Sequence, residues 1–230
     1  MIKVVLFGYS KTGRELAKLL KDDEYELIII DENPHQVAEA NSDGFFARHS
    51  TFKDDTLLFE SGIGEDVEIL FCVSNDDSLN LFVTLSARYI DKDLKILTLI
   101  YKKEDEKKML LAGANRTISP YDVGAIKAFR IIDKPKVSKI LNLFALQSNK
   151  LSISEITIPK DSILDGSHFN NIPIFKENNI IFLGILNKDI EGNFILFSKE
   201  TDYKIDGGDT IVTLGSKTNI KKFKQEIGVK

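Results

Sequence analysis

Ile2-Lys3-Val4-Val5-Leu6-Phe7-Gly8-Tyr9-Ser10-Lys11-Thr12-Gly13 is the stretch on which the reading of the fold turns. Its first six residues, mostly apolar and rich in β-branched side chains, read as a short strand buried on both faces. A helical pattern follows at Leu16, Ala17, Leu19 and Leu20. Strand, glycine turn and helix in that order are the context in which G-x-G-x-x-G holds a dinucleotide. Gly8 permits the tight turn, and Gly13 permits close packing of helix on strand. The free N–H groups at the helix start can hold phosphate oxygens. Ser10 stands where the middle glycine belongs. A side chain there narrows the approach of a pyrophosphate, while its hydroxyl offers a phosphate contact of its own. Lys11 and Thr12 complete the turn, and Lys11 reads either as a phosphate contact or as a solvated loop lysine.

The pattern repeats outward from this stretch. Glu26–Asp31 reads as a second buried strand, and Asp31 at its end can accept hydrogen bonds from ribose hydroxyls. Asn33-Pro34 starts a helix, with proline at the first helical position. Gly44–Ala47 is read as a third strand, Thr56–Phe59 as helix and Val67–Val73 as a fourth strand. Asp76-Asp77 opens a helix through Leu85, Leu94–Ile100 is a fifth strand, and Glu104–Leu111 is a helix that stops at Gly113. Thr117-Ile118-Ser119 forms a sixth strand. Strict alternation of this kind requires crossovers and a parallel sheet with helices on both faces. The expected class is therefore α/β, a Rossmann-like doubly wound parallel sheet. Ser50, Thr51, Ser74 and Asn75 follow the third and fourth strands, where such sheets bind ligands; each is also an ordinary turn or cap residue. The same glycines also suit a Rossmann fold that binds nothing.

After residue 120 the pattern changes. Tyr121–Leu146 reads as mostly helical, broken near Pro135. Beyond Leu151 come short strands, with Ile153, Ile156 and Ile158 read as one face, then Ile180–Ile185, Phe194–Phe197 and Thr210–Leu214 between turn signals, and a closing helix over Asn219–Ile227. This is a small α+β domain. The expected layout is a first domain over 1–133, a helical crossover over 134–150 and a second domain over 151–230.

Composition narrows the function classes. The chain has 230 residues, 43 % hydrophobic and 29 % charged, enough for a core. A net charge of −4 argues against a general nucleic-acid binder. The single Cys72 forms no internal disulfide and lies in an apolar run, so it reads as a buried, inert thiol. No apolar run approaches the roughly 20 residues of a membrane span. The first strand starts at Ile2 without a leader, so the chain reads either as complete or as the soluble part of something longer. His35, His49 and His168 show no metal-ligand spacing, and Asp54-Asp55 and Asp76-Asp77 read better as helix starts than as cation sites. No catalytic triad is suggested, and no acid or base beside a nicotinamide can be named; no catalytic or metal residue is assigned.

Several segments together resemble the RCK domain (also KTN or TrkA-type), which regulates potassium channels and transporters. Gly8–Gly13 with Asp31 resembles its nucleotide-site core. Ala112-Gly113-Ala114-Asn115-Arg116-Thr117-Ile118-Ser119-Pro120-Tyr121 resembles its A-G-A-(D/N)-x-V-I-S-P-(Y/F) segment. Ile158–Gly166 and Asp206–Gly215 resemble the opening and closing motifs of the companion TrkA-C domain. The resemblance covers nearly the whole chain. It implies regulation rather than catalysis: homodimers, assembled into a closed ring, such as an octamer, beneath a pore at the inner face of the cell membrane, with ligand binding in the cleft opening or closing the gate. The implied ligand is an adenine nucleotide or NAD(H), and the implied partners are further copies of the chain and a potassium channel pore domain or transporter. The apolar residues Val123, Ile126, Phe129, Ile140, Leu141 and Phe144 are the candidate pairing surface; a helix packed on its own domain is the alternative. Members that bind dinucleotide tightly keep the middle glycine and a Gly-Asp-Ala after the third strand, where this chain has Ser10 and Ser50-Thr51. Calcium-sensing members carry carboxylates where Val73, Leu99 and Tyr101 stand here, so that calcium site is not expected. A nucleotide-sensing transporter subunit and an NAD(P)-linked oxidoreductase of the same fold class stay open as alternatives.

Overall fold

A computed structural model of the chain describes residues 1–21, 25–50, 56–139, 152–168, 178–188, 194–198 and 203–229. It contains two compact units, Met1–Phe129 and Arg130–Lys230.

The first unit carries β1 (Ile2–Phe7), α1 (Lys11–Leu19), β2 (Tyr25–Asp31), α2 (Pro34–Ser42), β3 (Phe46–His49), α3 (Thr56–Glu60), β4 (Val67–Cys72), α4 (Asp77–Ile90), β5 (Lys95–Leu99), α5 (Glu106–Leu111) and β6 (Arg116–Ile118). These strands form one sheet in the order β3-β2-β1-β4-β5-β6, and every pairing is parallel. The chain builds outward from β1 to β3, then crosses back to place β4 on the other side of β1. The sheet thus has its switch point between β1 and β4, where doubly wound folds bind ligands. Successive side chains of β1 serve opposite faces. Val5 and Phe7 pack with Leu58, Val83 and Ala87 under α3 and α4, while Leu6 packs with Ala17 and Ala40 under α1 and α2.

The third strand begins two residues later than the sequence pattern indicates. Gly44, at φ +83°, ends α2 instead of starting the strand. Its N–H reaches Asn41 O and the next, Phe45 N–H, reaches Ala40 O, a left-handed helix stop. Residues 103–105 form a 3-10 turn ahead of α5, where the sequence suggests continuous helix.

Arg88 explains the most family-specific segment. Its guanidinium donates to the carbonyls of Gly113, Asp91, Lys92 and Leu94 and to Asn115 Oδ1. Gly113 sits at φ +108°, and a Cβ there would lie 2.4 Å from Arg88 Cγ. Asn115 Oδ1 also accepts Ile96 N–H at 2.7 Å. This clamp fastens the α5–β6 turn to the edge of α4 and β5.

Helix α6 (Pro120–Asp133) follows, and none of its residues is buried in the lone chain. Lys134 interrupts the helix directly before Pro135, and residues 135–139 resume it.

The second unit holds β7 (Ser152–Thr157), β8 (Ile181–Leu186), β9 (Phe194–Leu196), β10 (Thr210–Gly215) and α7 (Lys217–Glu226). The strands form an antiparallel sheet in the order β7-β10-β8-β9. Ile156, Ile158, Ile185 and Ile211 pack with Ile220 and Phe223 of α7. Ile153 is exposed and does not share their face, because it lies an odd number of residues from Ile156 and Ile158 is in phase with Ile156 alone. Asp165 joins the two motifs of this unit. Asp165 accepts Gly207 N–H at 2.9 Å and Asp161 N–H at 3.1 Å, and these backbone bonds hold its carboxyl below the usual range. The buried Asp209 accepts Lys188 N–H, Asp206 N–H and the Tyr203 hydroxyl.

Candidate functional site

The carboxyl ends of β1 and β4 meet at Gly8. Its φ is +98°, and a Cβ there would lie 2.4 Å from Ser74 N. A Cβ on Gly13 would lie 2.1 Å from Gly8 O. Both glycines are thus demanded by backbone approach, which seats the amino end of α1 against the first turn. Ser10 caps α1. Its Oγ accepts Gly13 N–H at 3.2 Å and donates to Val73 O at 2.8 Å. A hydroxyl has one proton to give, so the phosphate contact left open by the sequence is already spent within the fold. The N–H groups of Lys11 and Thr12, the first two of the helix, have no acceptor within α1; they are the donors left for an anion.

Asp31 sits at the end of β2 and is 7 % exposed. Its Oδ2 accepts Tyr9 N–H at 2.6 Å and its Oδ1 accepts Asn33 N–H at 2.7 Å. The carboxylate therefore ties the β1–α1 turn to the β2–α2 turn. Each oxygen keeps a second lone pair for a hydroxyl donor. Tyr9 points away from this carboxylate: its buried ring lies under the Arg14 guanidinium, and its hydroxyl donates to Asp43 Oδ2 at 2.7 Å. Burial, then Asp43, pushes the Tyr9 phenol well above its usual range.

On the other side, the fully buried Asn80 of α4 holds the loop after β4. Its Oδ1 accepts Ser74 N–H at 3.0 Å and its Nδ2 donates to Ser74 O at 2.9 Å. Asp76 caps α4 by accepting Ser78 and Leu79 N–H, as a helix start should. Both oxygens of Asp77 lie 3.2 Å from Tyr101 N, and the Tyr101 hydroxyl donates to Asn75 Oδ1 at 3.0 Å. Burial, followed by Asp77 and Tyr121, raises the Tyr101 phenol.

Between these walls lies a cleft of about 250 Å³. Of the residues singled out in the sequence it gathers Ser10, Asp31, Ser74 and Asn75. Gly8 and Gly13 set the β1–α1 turn beside it, and Lys11 and Thr12 open the adjoining helix. Ser50 N–H donates to Asp31 O at 3.0 Å behind the carboxylate, and Thr51 lies outside the described residues. Glu32, Asn33, Gln36 and Asp76 also line the cleft. Glu32 and Asn33 follow Asp31 in the β2–α2 turn and Gln36 lies in the first turn of α2, a nearness the sequence carries. The lining includes three carboxylates, Asp31, Glu32 and Asp76, and no lysine or arginine among the described residues. Such a wall suits a ligand that donates hydroxyl or amino hydrogens.

Val123, Ile126 and Phe129 are all exposed on α6, with Tyr121 and Ile132. Ile140, Leu141 and Phe144 lie outside the described residues, as do Asp54 and Asp55. Cys72 is fully buried, and burial pushes its thiol up to about 12. Among the described residues no group of three or more His, Cys, Asp or Glu side chains is placed to hold a metal ion, and no helix is long and apolar enough to cross a membrane.

Comparison with known proteins agrees with this fold. The chain is 24 % identical over 225 residues to potassium channel protein 1 of Methanocaldococcus jannaschii, covering 97 % of this chain and 66 % of that protein. The GsuK channel bound to NAD superposes with a TM-score of 0.52 at 18 % identity, over 99 % of this chain and 38 % of that one. GsuK bound to ADP gives a TM-score of 0.51 at 21 % identity, over 59 % of this chain and 35 % of that one. The chain thus spans just under two thirds of the curated relative and well under half of the solved channel chains. Residues 4–120 match the TrkA-N domain model. With half its length in that match, and with the turn, clamp and sheet order described above, this chain belongs to the TrkA-N domain family.

Proposed function

We propose that the chain is the ligand-sensing gating module of a potassium channel, working at the cytoplasmic face of the membrane and transforming no substrate. Its ligand is an adenine nucleotide or NAD(H), bound between the β1–α1 turn and the loop after β4. Gly8, Gly13 and Ser10 shape the floor, the Lys11 and Thr12 amides take the phosphate, and Asp31 takes the ribose hydroxyls. Ser50, Thr51, Ser74 and Asn75 complete the rim. Copies pair through α6 and the segment after it, with Val123, Ile126, Phe129, Ile140, Leu141 and Phe144 in the contact. The pairs assemble into a ring on the pore domain, in the octameric form eight copies. In this reading residues 1–133 sense the ligand, 134–150 cross between partners and 151–230 form the TrkA-C-like companion.

The observation that carries the proposal is the buried Asp31 carboxylate at the switch point, facing a cleft that adjoins the free amino end of α1. Two further facts support it. Relatives of this chain include a protein named as a potassium channel, and solved proteins of like fold are described as bound to NAD and to ADP. Helix α6 exposes a continuous set of large apolar residues, which monomeric soluble proteins rarely do. Ligand binding drives such a ring only through different affinities for its two arrangements.

Thermal unfolding of the purified 230-residue chain with NAD, NADH, ADP, ATP and AMP tests the proposal. A ligand at 100 times its Kd adds about 2.7 kcal/mol of stability. Stabilisation by NAD or ADP, with no consumption of NADH on adding small carbonyl compounds, is the expected result. No response to any of the five nucleotides, or steady oxidation of NADH, overturns it.

A further inference from the structure

Tyr101 touches three elements at once. Its hydroxyl holds Asn75 on the cleft wall at 3.0 Å. Its backbone N–H meets both oxygens of Asp77 in the first turn of α4, at 3.2 Å each. Its ring packs edge-on against Tyr121 in the first turn of α6, with centroids 5.7 Å apart and planes at 64°. Tyr121 stands just ahead of Val123, the first of the exposed apolar residues expected to pair, on the same helix. One side chain therefore joins the lining of the cleft to the start of the pairing helix.

From this juxtaposition, and resting on the function proposed above, we infer that Tyr101 is the positioning residue through which occupancy of the cleft is felt by the pairing helix. The Tyr101 hydroxyl uses one of the two lone pairs on the Asn75 carboxamide oxygen. A ligand group that hydrogen-bonds the Asn75 carboxamide turns that side chain toward the cleft and draws its oxygen away from the phenol. The backbone bond to Asp77 is untouched, so the main chain after β5 stays in place while the side chain is released. The ring then no longer seats Tyr121 in one position, and the start of α6 gains freedom. Two arrangements of one side chain thus bias two sites, which is the physical content of coupling. By reciprocity, pairing must change ligand affinity by the same factor as the ligand changes pairing.

The test uses the whole chain and NAD as the probe. Sedimentation equilibrium gives the pairing constant with and without saturating NAD, and calorimetry gives NAD affinity below and above the pairing concentration. In the wild type NAD changes the pairing constant by about fivefold or more. Tyr101→Phe keeps the ring and the backbone bond and removes only the link to Asn75. It is expected to bind NAD and to pair, with the effect of one on the other reduced to less than about twofold, below the usual range of allosteric coupling. Tyr121→Leu cuts the same link at its far end, keeps apolar bulk, and is expected to lose the coupling too. A merely structural role would lower stability without moving this ratio. Binding and pairing in the wild type, with coupling intact in both variants or absent throughout, overturns the inference and leaves the nucleotide site standing. A wild type that neither binds NAD nor pairs overturns the proposed function and the inference together.

Discussion

Replacing Asp31 by alanine should damage the fold before it damages binding. The carboxylate is 7 % exposed and accepts two backbone amides, Tyr9 N–H at 2.6 Å and Asn33 N–H at 2.7 Å. Hydrogen bonds to a charged group contribute about 1.5–3 kcal/mol each, and a buried donor left without an acceptor costs about 1–3 kcal/mol. The Tyr9 amide is enclosed and cannot turn to water, whereas the Asn33 amide is nearer the surface and can. The sum points to a loss of about 3–5 kcal/mol for Asp31→Ala, a large part of the roughly 5–15 kcal/mol that holds a typical domain. Asp31→Asn is not a mild change either. Its carboxamide can offer an oxygen to one amide but must set its NH₂ against the other, so about 2–4 kcal/mol should go. The assay is the urea midpoint of the first unit, followed through hydrogen exchange of the β1 amides. With a urea slope of about 2 kcal/mol per molar, the alanine variant should unfold roughly 2 M earlier. A loss below about 1 kcal/mol for both variants would refute the view that this carboxylate fastens the two turns, since one charged hydrogen bond alone exceeds it. NAD titrations of these variants belong at a temperature where they are folded, because a lost response in an unfolded variant says nothing about the ribose.

Four further outcomes are expected. Gly8→Ala puts a Cβ against Ser74 N at a positive φ and should cost about 2–4 kcal/mol by the same urea measurement; an unchanged midpoint would mean that the turn and β4 can separate freely. Cys72 should ignore Ellman's reagent at about pH 8 in the folded chain and react at once in urea, since its thiol is buried. Its folded pKa is raised, so its contribution to stability is present below the ordinary thiol value near 8.5 and is lost as the pH climbs toward about 12; the wild type should lose stability more steeply than Cys72→Ala over roughly pH 9–10.5, and parallel curves would count against burial as the cause. Phe129→Asp places a charge among the exposed apolar residues of α6 and should weaken pairing by about tenfold or more in sedimentation, without lowering the urea midpoint of the first unit, because no α6 residue is buried there; unaltered pairing would remove α6 from the interface.

The sheet is legible in the sequence because it rests on local pattern. Each buried strand is a run such as Leu27-Ile28-Ile29-Ile30 or Leu70-Phe71-Cys72, and crossover helices carry their caps in the sequence, as at Ser10, Asn33 and Asp76. The misreadings also have local causes. Gly44 reads equally as the end of one element or the start of the next, and Arg48 and His49 hide an edge strand behind polar side chains. Ile153 joins Ile156 and Ile158 by composition, but its parity puts it on the other face. The cleft is half legible. Its glycines and Asp31 follow from motif spacing, but the fate of the Ser10 hydroxyl depends on Val73, 63 residues away. The Tyr101 links to Asn75 and Asp77 span 26 and 24 residues and leave no periodic trace. The Ala112–Tyr121 segment, the most family-specific of the motifs, supplies Gly113 and Asn115 to the Arg88 clamp and lines no part of the cleft.

The β1–α1 turn also bears on timing. Tyr9 N–H, the Ser10 hydroxyl and Gly13 N–H are all engaged before any visitor arrives. An incoming molecule therefore meets a finished seat and freezes few rotors on landing. For a nucleotide bound as proposed, this turn adds no folding step of its own to arrival. In the ring proposed above, a response on the scale of seconds or more would therefore have its origin outside this turn.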